Sequence, residues 1–287
     1  MEEETSRIEC WKGKFMKEKV QYEDDKLKVC APDSLIFIVN DMVKYFYEHY
    51  EKVLNFFHLK SYSQYCINLF DDKEKFRSFI INDLRNGNNN LPDYAVGTYD
   101  KDMCNQFVGL RKDDKGVYKI KNNNIEYISL YAYMRRVATP VHEFVHIIYF
   151  DNCAHNNNKF RVVWLDEGLA QNLSGEYDYL EKDFSKFIEF YSVAKNNTKY
   201  IPKLEGIKHG NKFKNDDYDL YKLSYLAVKY LFDTMTKDEI YDIIIDYQKS
   251  NELGEYIMSD MFKYLDNIMG RYSNTCYSND KTSLFKK

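Results

Sequence analysis

"TPVHEFVHIIYF", residues 139–150, is the stretch on which the reading of this chain turns. Two of the six histidines, His142 and His146, lie four positions apart, with Glu143 directly after the first. Thr139 is suited to cap a helix and Pro140 to its first turn, where a missing N–H costs nothing. A helix that begins upstream, near Tyr131, instead holds Pro140 in its interior at some cost. Either way, positions 142 and 146 share one helical face. Two imidazoles at that spacing can hold one Zn2+, each at about 2.0–2.1 Å. Glu143 then stands beside the ion, placed to take a proton from an attacking water. Chance produces HExxH in about one chain in a hundred of this length. The bland alternative is a core helix with two satisfied histidines, and the apolar Phe144, Val145, Ile147 and Ile148 fit both readings.

A hydrolytic zinc needs a third protein ligand and one open position. "RVVWLDEGLAQNLSG", residues 161–175, offers Glu167, 21 positions after His146. On a second helix packed against the first, that carboxylate completes a His2Glu set. Trp164 and Leu165 can pack the start of this helix, and Gly168 allows a close backbone approach. Gln171, one turn beyond Glu167, reads either as a partner of a metal ligand or as an exposed helix residue. Asp166 is a rival ligand, as is His155 in the loop "NCAHNNNK".

"HEFVH" followed by "WLDEGLA" resembles the gluzincin metallopeptidases, which carry HExxH, a spacer of about twenty residues and then WxxEGxA. The resemblance spans roughly residues 35–270. It implies an α+β, zincin-like fold, with a mixed α/β N-terminal lobe, a mostly helical C-terminal lobe and the active-site helix between them. It further implies one Zn2+ per chain on His142, His146 and Glu167, Glu143 as general base, and a peptide or protein substrate. In "DYDLYKLSYLAVKYLFDTM" the family's oxyanion-stabilising tyrosine, in a Y-x-x-[GS] setting, falls on Tyr221, with Tyr218 one turn earlier as the rival. Two departures matter. The G-x-M-E-N segment that anchors a free amine in the aminopeptidase branch is missing, so internal cleavage is expected over aminopeptidase action. The Asn-Ala edge-strand motif of thermolysin-like enzymes is missing too, and "IEYISL" is the expected edge for pairing a substrate backbone.

The rest of the chain sets the frame. Residues 1–30 read as a charged arm, and 31–287 as one catalytic domain with lobes at about 31–138 and 139–287. "IFIVNDMVKYFYEHYEKVLNFF" has helical periodicity; His49 and His58, on or near it, read as surface or capping residues. "YSQYCINLF" reads as a strand, and "DKEKFRSFIINDLRN" as a helix opened by Asp71 and Asp72. "YAVGTY", "NQFVGLRKDDKGVYKI" and "NNNIEYISLYA" form a strand-rich section with turns at "DDKG" and "NNN". Beyond about Leu130 the pattern turns helical.

With 41 basic and 45 acidic residues interspersed, the chain lacks the basic face that nucleic-acid binding requires. The 27 Tyr and 19 Phe fit a composition bias better than a set of binding platforms. The six scattered cysteines form no CxxC pair and read as reduced thiols. No signal peptide or membrane span is legible, which points to a cytoplasmic protein with no membrane partner, or to a secreted one if a leader was trimmed. A di-iron carboxylate protein needs a second Glu-x-x-His pair, and none occurs. The remaining alternative to an enzyme is a non-catalytic or latent peptidase-fold protein that acts as a binding or regulatory module.

Overall fold

Short alternating runs such as "LKVC" and one wholly buried run, "YCINLF", are what a buried sheet requires, and a sheet is what they form. The computed structural model describes residues 19–85, 87, 91–100, 103–154, 161–199, 204, 213–214 and 219–276. It divides into two compact units, Met1–Ile147 and Ile148–Lys287. The architecture is α+β, with two sheets in the first unit and helices in the second.

In chain order the first unit contains β1 (Val20–Glu23), β2 (Leu27–Cys30), α1 (Ile36–Phe56), β3 (Tyr65–Phe70), α2 (Lys73–Ser78), β4 (Gly97–Asp100) and β5 (Met103–Phe107). A small antiparallel sheet follows, made of β6 (Arg111–Asp113), β7 (Gly116–Lys121) and β8 (Asn124–Tyr127), and then α3 (Leu130–Tyr149), which crosses the division between the units. The main sheet has the order β1-β2-β3-β5-β4. Strands β2, β3 and β5 are parallel, whereas β1 and β4 run antiparallel at the two ends. The charged opening therefore contributes to the sheet: Leu27, Val29 and Cys30 are fully buried, and residues 1–18 lie outside the described residues. Four-residue strands are too short for alternation to announce them.

Side chains alternate across the sheet. One face presents Gly97, Tyr99, Cys104, Gln106 and Tyr65 to α3. The other carries Phe70, which packs with Phe76, Phe79, Ile80 and Leu91. Asp72 caps α2 by accepting from the Lys75 N–H, as the sequence suggests, but the helix then widens into a π-type segment, Phe79–Leu84. Asn122 and Asn123, at φ 51° and 64°, form the two-residue turn between β7 and β8 that left-handed residues favour. Cys30, Cys66 and Cys104 are buried thiols.

The second unit comprises α4 (Val163–Leu173), α5 (Phe184–Asn197), α6 (Tyr221–Thr234), α7 (Lys237–Ile244) and α8 (Tyr247–Cys276). Helix α4 is buried at every position except Asn172, which makes it the unit's central element. It packs on α6 so closely that a Cβ on Gly168 would lie 2.4 Å from the Ser224 carbonyl oxygen. Asn172 Nδ2 ties the pair further, donating to the Gly168 and Tyr225 carbonyls at 2.7 and 3.0 Å. Among the described residues no helix is long and apolar enough to cross a membrane.

Candidate metal centre

Helix α3 begins at Leu130, so Pro140 lies in its interior and Thr139 is not a cap. Thr139 Oγ1 instead donates to the Arg135 carbonyl at 3.0 Å, one turn back. An interior proline deprives the carbonyl four residues earlier of its N–H partner. That carbonyl belongs to Arg136, and Gln106 Nε2 on β5 donates to it at 2.9 Å. One turn on, the Tyr65 hydroxyl on β3 donates to the Pro140 carbonyl at 2.7 Å. Gln106 thus satisfies the carbonyl that proline leaves open, which offsets part of a defect costing about 3 kcal/mol, and Tyr65 adds a second tie to the helix. The same contacts fix the helix on the sheet.

Phe144 fixes its rotation. The ring is fully buried, with the rings of Phe46, Tyr50, Tyr62 and Tyr65 at centroid distances of 5.4, 5.8, 5.3 and 4.9 Å. Burial of a Phe in such a setting is worth about 3–5 kcal/mol over alanine. With Phe144 in the core, the positions on either side, 143 and 145, and those one turn away are set in direction.

Glu143 is buried at 7% exposure and lies over the backbone of β4, where a Cβ on Gly97 would come within 2.5 Å of its Oε1. Cys104 senses the same carboxylate. Burial, and then the Glu143 charge, push its thiol well above the ordinary range, so it stays protonated and inert. His146 is 3% exposed and its ring lies 5.5 Å from that of Tyr99 on β4. His142 Nε2 and His146 Nε2 face each other at 3.0 Å, with the rings nearly perpendicular.

Glu167 is held at 7% exposure in the first half of α4. Ligand atoms of His142, His146 and Glu167 all lie within 4.8 Å of one another. Two imidazole nitrogens and a carboxylate that converge so closely fit a metal with mixed N and O ligands. Two nitrogens held at about 2.05 Å in a tetrahedron stand about 3.3 Å apart, close to the separation seen here. The three residues taken from the sequence as ligands are therefore brought together as a possible metal-binding triad.

The other expected residues fall in several places. Asp166, the rival ligand, is 1% exposed and paired with Arg161 outside the triad. Gln171 is buried at 1%, not exposed, and its Oε1 has no hydrogen-bond partner among the described residues. Tyr221 is the first residue of α6, with its N–H donating to Asp219 Oδ1 at 3.2 Å and its ring 5.2 Å from that of Phe213. His155 and Tyr218 lie outside the described residues. His49 stacks on Tyr45, and its Nδ1 lies 3.0 Å from the Tyr45 carbonyl oxygen.

The strand expected to offer a free edge is in a different sheet. Ile125–Tyr127 belong to β8, paired to β7 alone, whereas the terminal strand of the main sheet beside Glu143 and His146 is β4. Residue alternation marks a strand without naming its neighbour, and "YAVGTYD" carries the signal for this one only through Gly97. The reading of the sequence does not single out Arg161, although a base five and six residues before two consecutive acids, "RVVWLDE", is a readable sign. Comparison of the chain with protein-family models and with curated proteins finds no match.

Proposed function

We propose that the chain is a zinc-dependent peptidase acting within polypeptides. The observation that carries this is the convergence of His142, His146 and Glu167, with Glu143 on the same helix. His142, His146 and Glu167 would hold the ion. Bound zinc supplies a Lewis acid that polarises the scissile carbonyl and makes water easier to deprotonate.

The chain's own residues do the rest. Glu143, clamped between α3 and the Gly97 backbone, takes a proton from the attacking water and returns it to the departing amine. Tyr221 donates its phenolic hydrogen to the tetrahedral oxyanion, a contact strongest in the transition state. Strand β4, terminal in the sheet order, takes the substrate backbone as an added strand. That mode of recognition needs residues on both sides of the scissile bond, in keeping with internal cleavage.

Glu143→Gln tests this reading. Hydrolysis of a quenched fluorogenic peptide library should fall by about 10^2–10^4-fold. Zinc per chain, measured on the same sample, should not change. Turnover near that of the wild type in the variant would refute the mechanism.

A further inference from the structure

Arg161 stands immediately before α4 and spans two carboxylates. Its Nη2 donates to Glu167 Oε1 at 2.9 Å, and its Nε is bonded to Asp166 Oδ2. Asp166 and Glu167 are adjacent and almost wholly buried, at 1% and 7% exposure. Two buried negative charges side by side repel each other, and each pays heavily for desolvation unless it is paired. A guanidinium is suited to the task, because its planar fork offers donors in fixed directions. Here the fork is divided: Nε faces Asp166 and Nη2 faces Glu167, so Asp166 helps to fix the arginine and the arginine helps to fix Glu167.

We propose that Arg161 is the positioning residue that makes Glu167 a one-oxygen metal ligand. The inference rests on the metal-centre reading above. A glutamate that is free to rotate can offer a cation both of its oxygens. One whose Oε1 already accepts a charge-assisted hydrogen bond is restrained in orientation and offers one oxygen less readily shared. Two imidazoles and one carboxylate oxygen make three ligand atoms, which leaves a tetrahedral ion one position for water. A two-oxygen carboxylate would crowd that position. Asp166, the acid next to the ligand, thereby acquires a role without touching the metal: it anchors the guanidinium from the far side.

The test uses the full chain with Zn2+ and Co2+ as probes. Zinc affinity is measured by competition against a chromophoric chelator. The visible spectrum of the Co2+-loaded protein reports coordination number, since four-coordinate Co2+ absorbs more strongly than five-coordinate. Arg161→Met keeps the length of the side chain and removes its donors. The wild type should bind one ion with the intense four-coordinate spectrum. The variant should bind zinc about 10–100-fold more weakly, with a weakened Co2+ band. Arg161→Lys should recover part of the affinity.

Arg161→Met takes the Arg161 charge away from buried Asp166, and the chain could fail to fold for that reason alone. The double variant Arg161→Met/Asp166→Asn removes the charge along with its partner, and it should show the same loss of affinity and the same weakened band. Wild-type affinity and spectrum in either folded variant would overturn the role of Arg161 while leaving the metal centre intact. Failure of the wild type to bind either ion would overturn the metal centre itself, and this role with it.

Discussion

Gly97 and Gly168 both sit where a Cβ has no room, yet they are crowded by different things. A Cβ on Gly97 would meet side-chain atoms, Glu143 Oε1 at 2.5 Å and Thr139 Cγ2 at 2.9 Å. A Cβ on Gly168 would meet backbone first, the Ser224 carbonyl oxygen at 2.4 Å, with Val228 Cγ2 at 2.5 Å. A carboxylate can swing away from an added methyl, whereas a helix backbone cannot move without its whole helix. The first glycine therefore protects the position of the Glu143 carboxylate, and the second protects the packing of two helices. His142 and His146 stand on a helix held by a sheet, and Glu167 on one of a tight helix pair.

This contrast can be broken by experiment. Gly168→Ala should give the largest effect, about 3 kcal/mol of lost stability in denaturant unfolding, as overpacking against an unyielding backbone. A loss under about 0.5 kcal/mol, the usual range for an uncrowded surface change, would mean that α4 and α6 separate easily. Gly97→Ala should act on turnover instead. A displaced Glu143 is expected to lower kcat/KM about 100-fold, with little change in unfolding midpoint or zinc content. If stability fell and turnover held, the two glycines would have exchanged roles.

The smallest effect concerns acid. Asp24 accepts hydrogen bonds from the Tyr22 and Tyr47 hydroxyls and from the Lys26 and Leu27 N–H groups. Burial opposes its ionised form, but these bonds outweigh it and hold the carboxyl at about 2. A carboxyl lowered on folding stabilises the folded chain above its ordinary value near 3.8 and loses that contribution as pH falls towards 2. Asp24→Asn should therefore flatten the pH dependence of stability between about 4 and 2, without changing turnover near neutrality. An unchanged acid slope would show that these bonds do not survive in solution.

The candidate centre was far more legible in the sequence than its supports. His142, Glu143 and His146 are tied by helical spacing, and Glu167 by a second short motif, so four positions could be read without any tertiary information. Whether Pro140 begins α3 or interrupts it could not be read. The answer depends on Gln106 and Tyr65, which lie 30 and 75 residues from the carbonyls that they satisfy. The same limit hid the edge strand: β4 and β8 both look like strands, and only the order of the sheet decides which one passes Glu143. Strands β1 and β2 were merged into a charged arm because a four-residue strand has too few alternations to stand out. The divided fork of Arg161 could have been anticipated by asking how two neighbouring buried acids are neutralised.

The most direct test is zinc content per chain by elemental mass spectrometry, on wild type and on Glu167→Ala, each purified without added metal. The expected result is about one zinc in the wild type, as a three-ligand site implies, and sharply less in the variant. No zinc in either protein, even after zinc is offered, would contradict the central claim and leave "TPVHEFVHIIYF" as a core helix that supports a sheet.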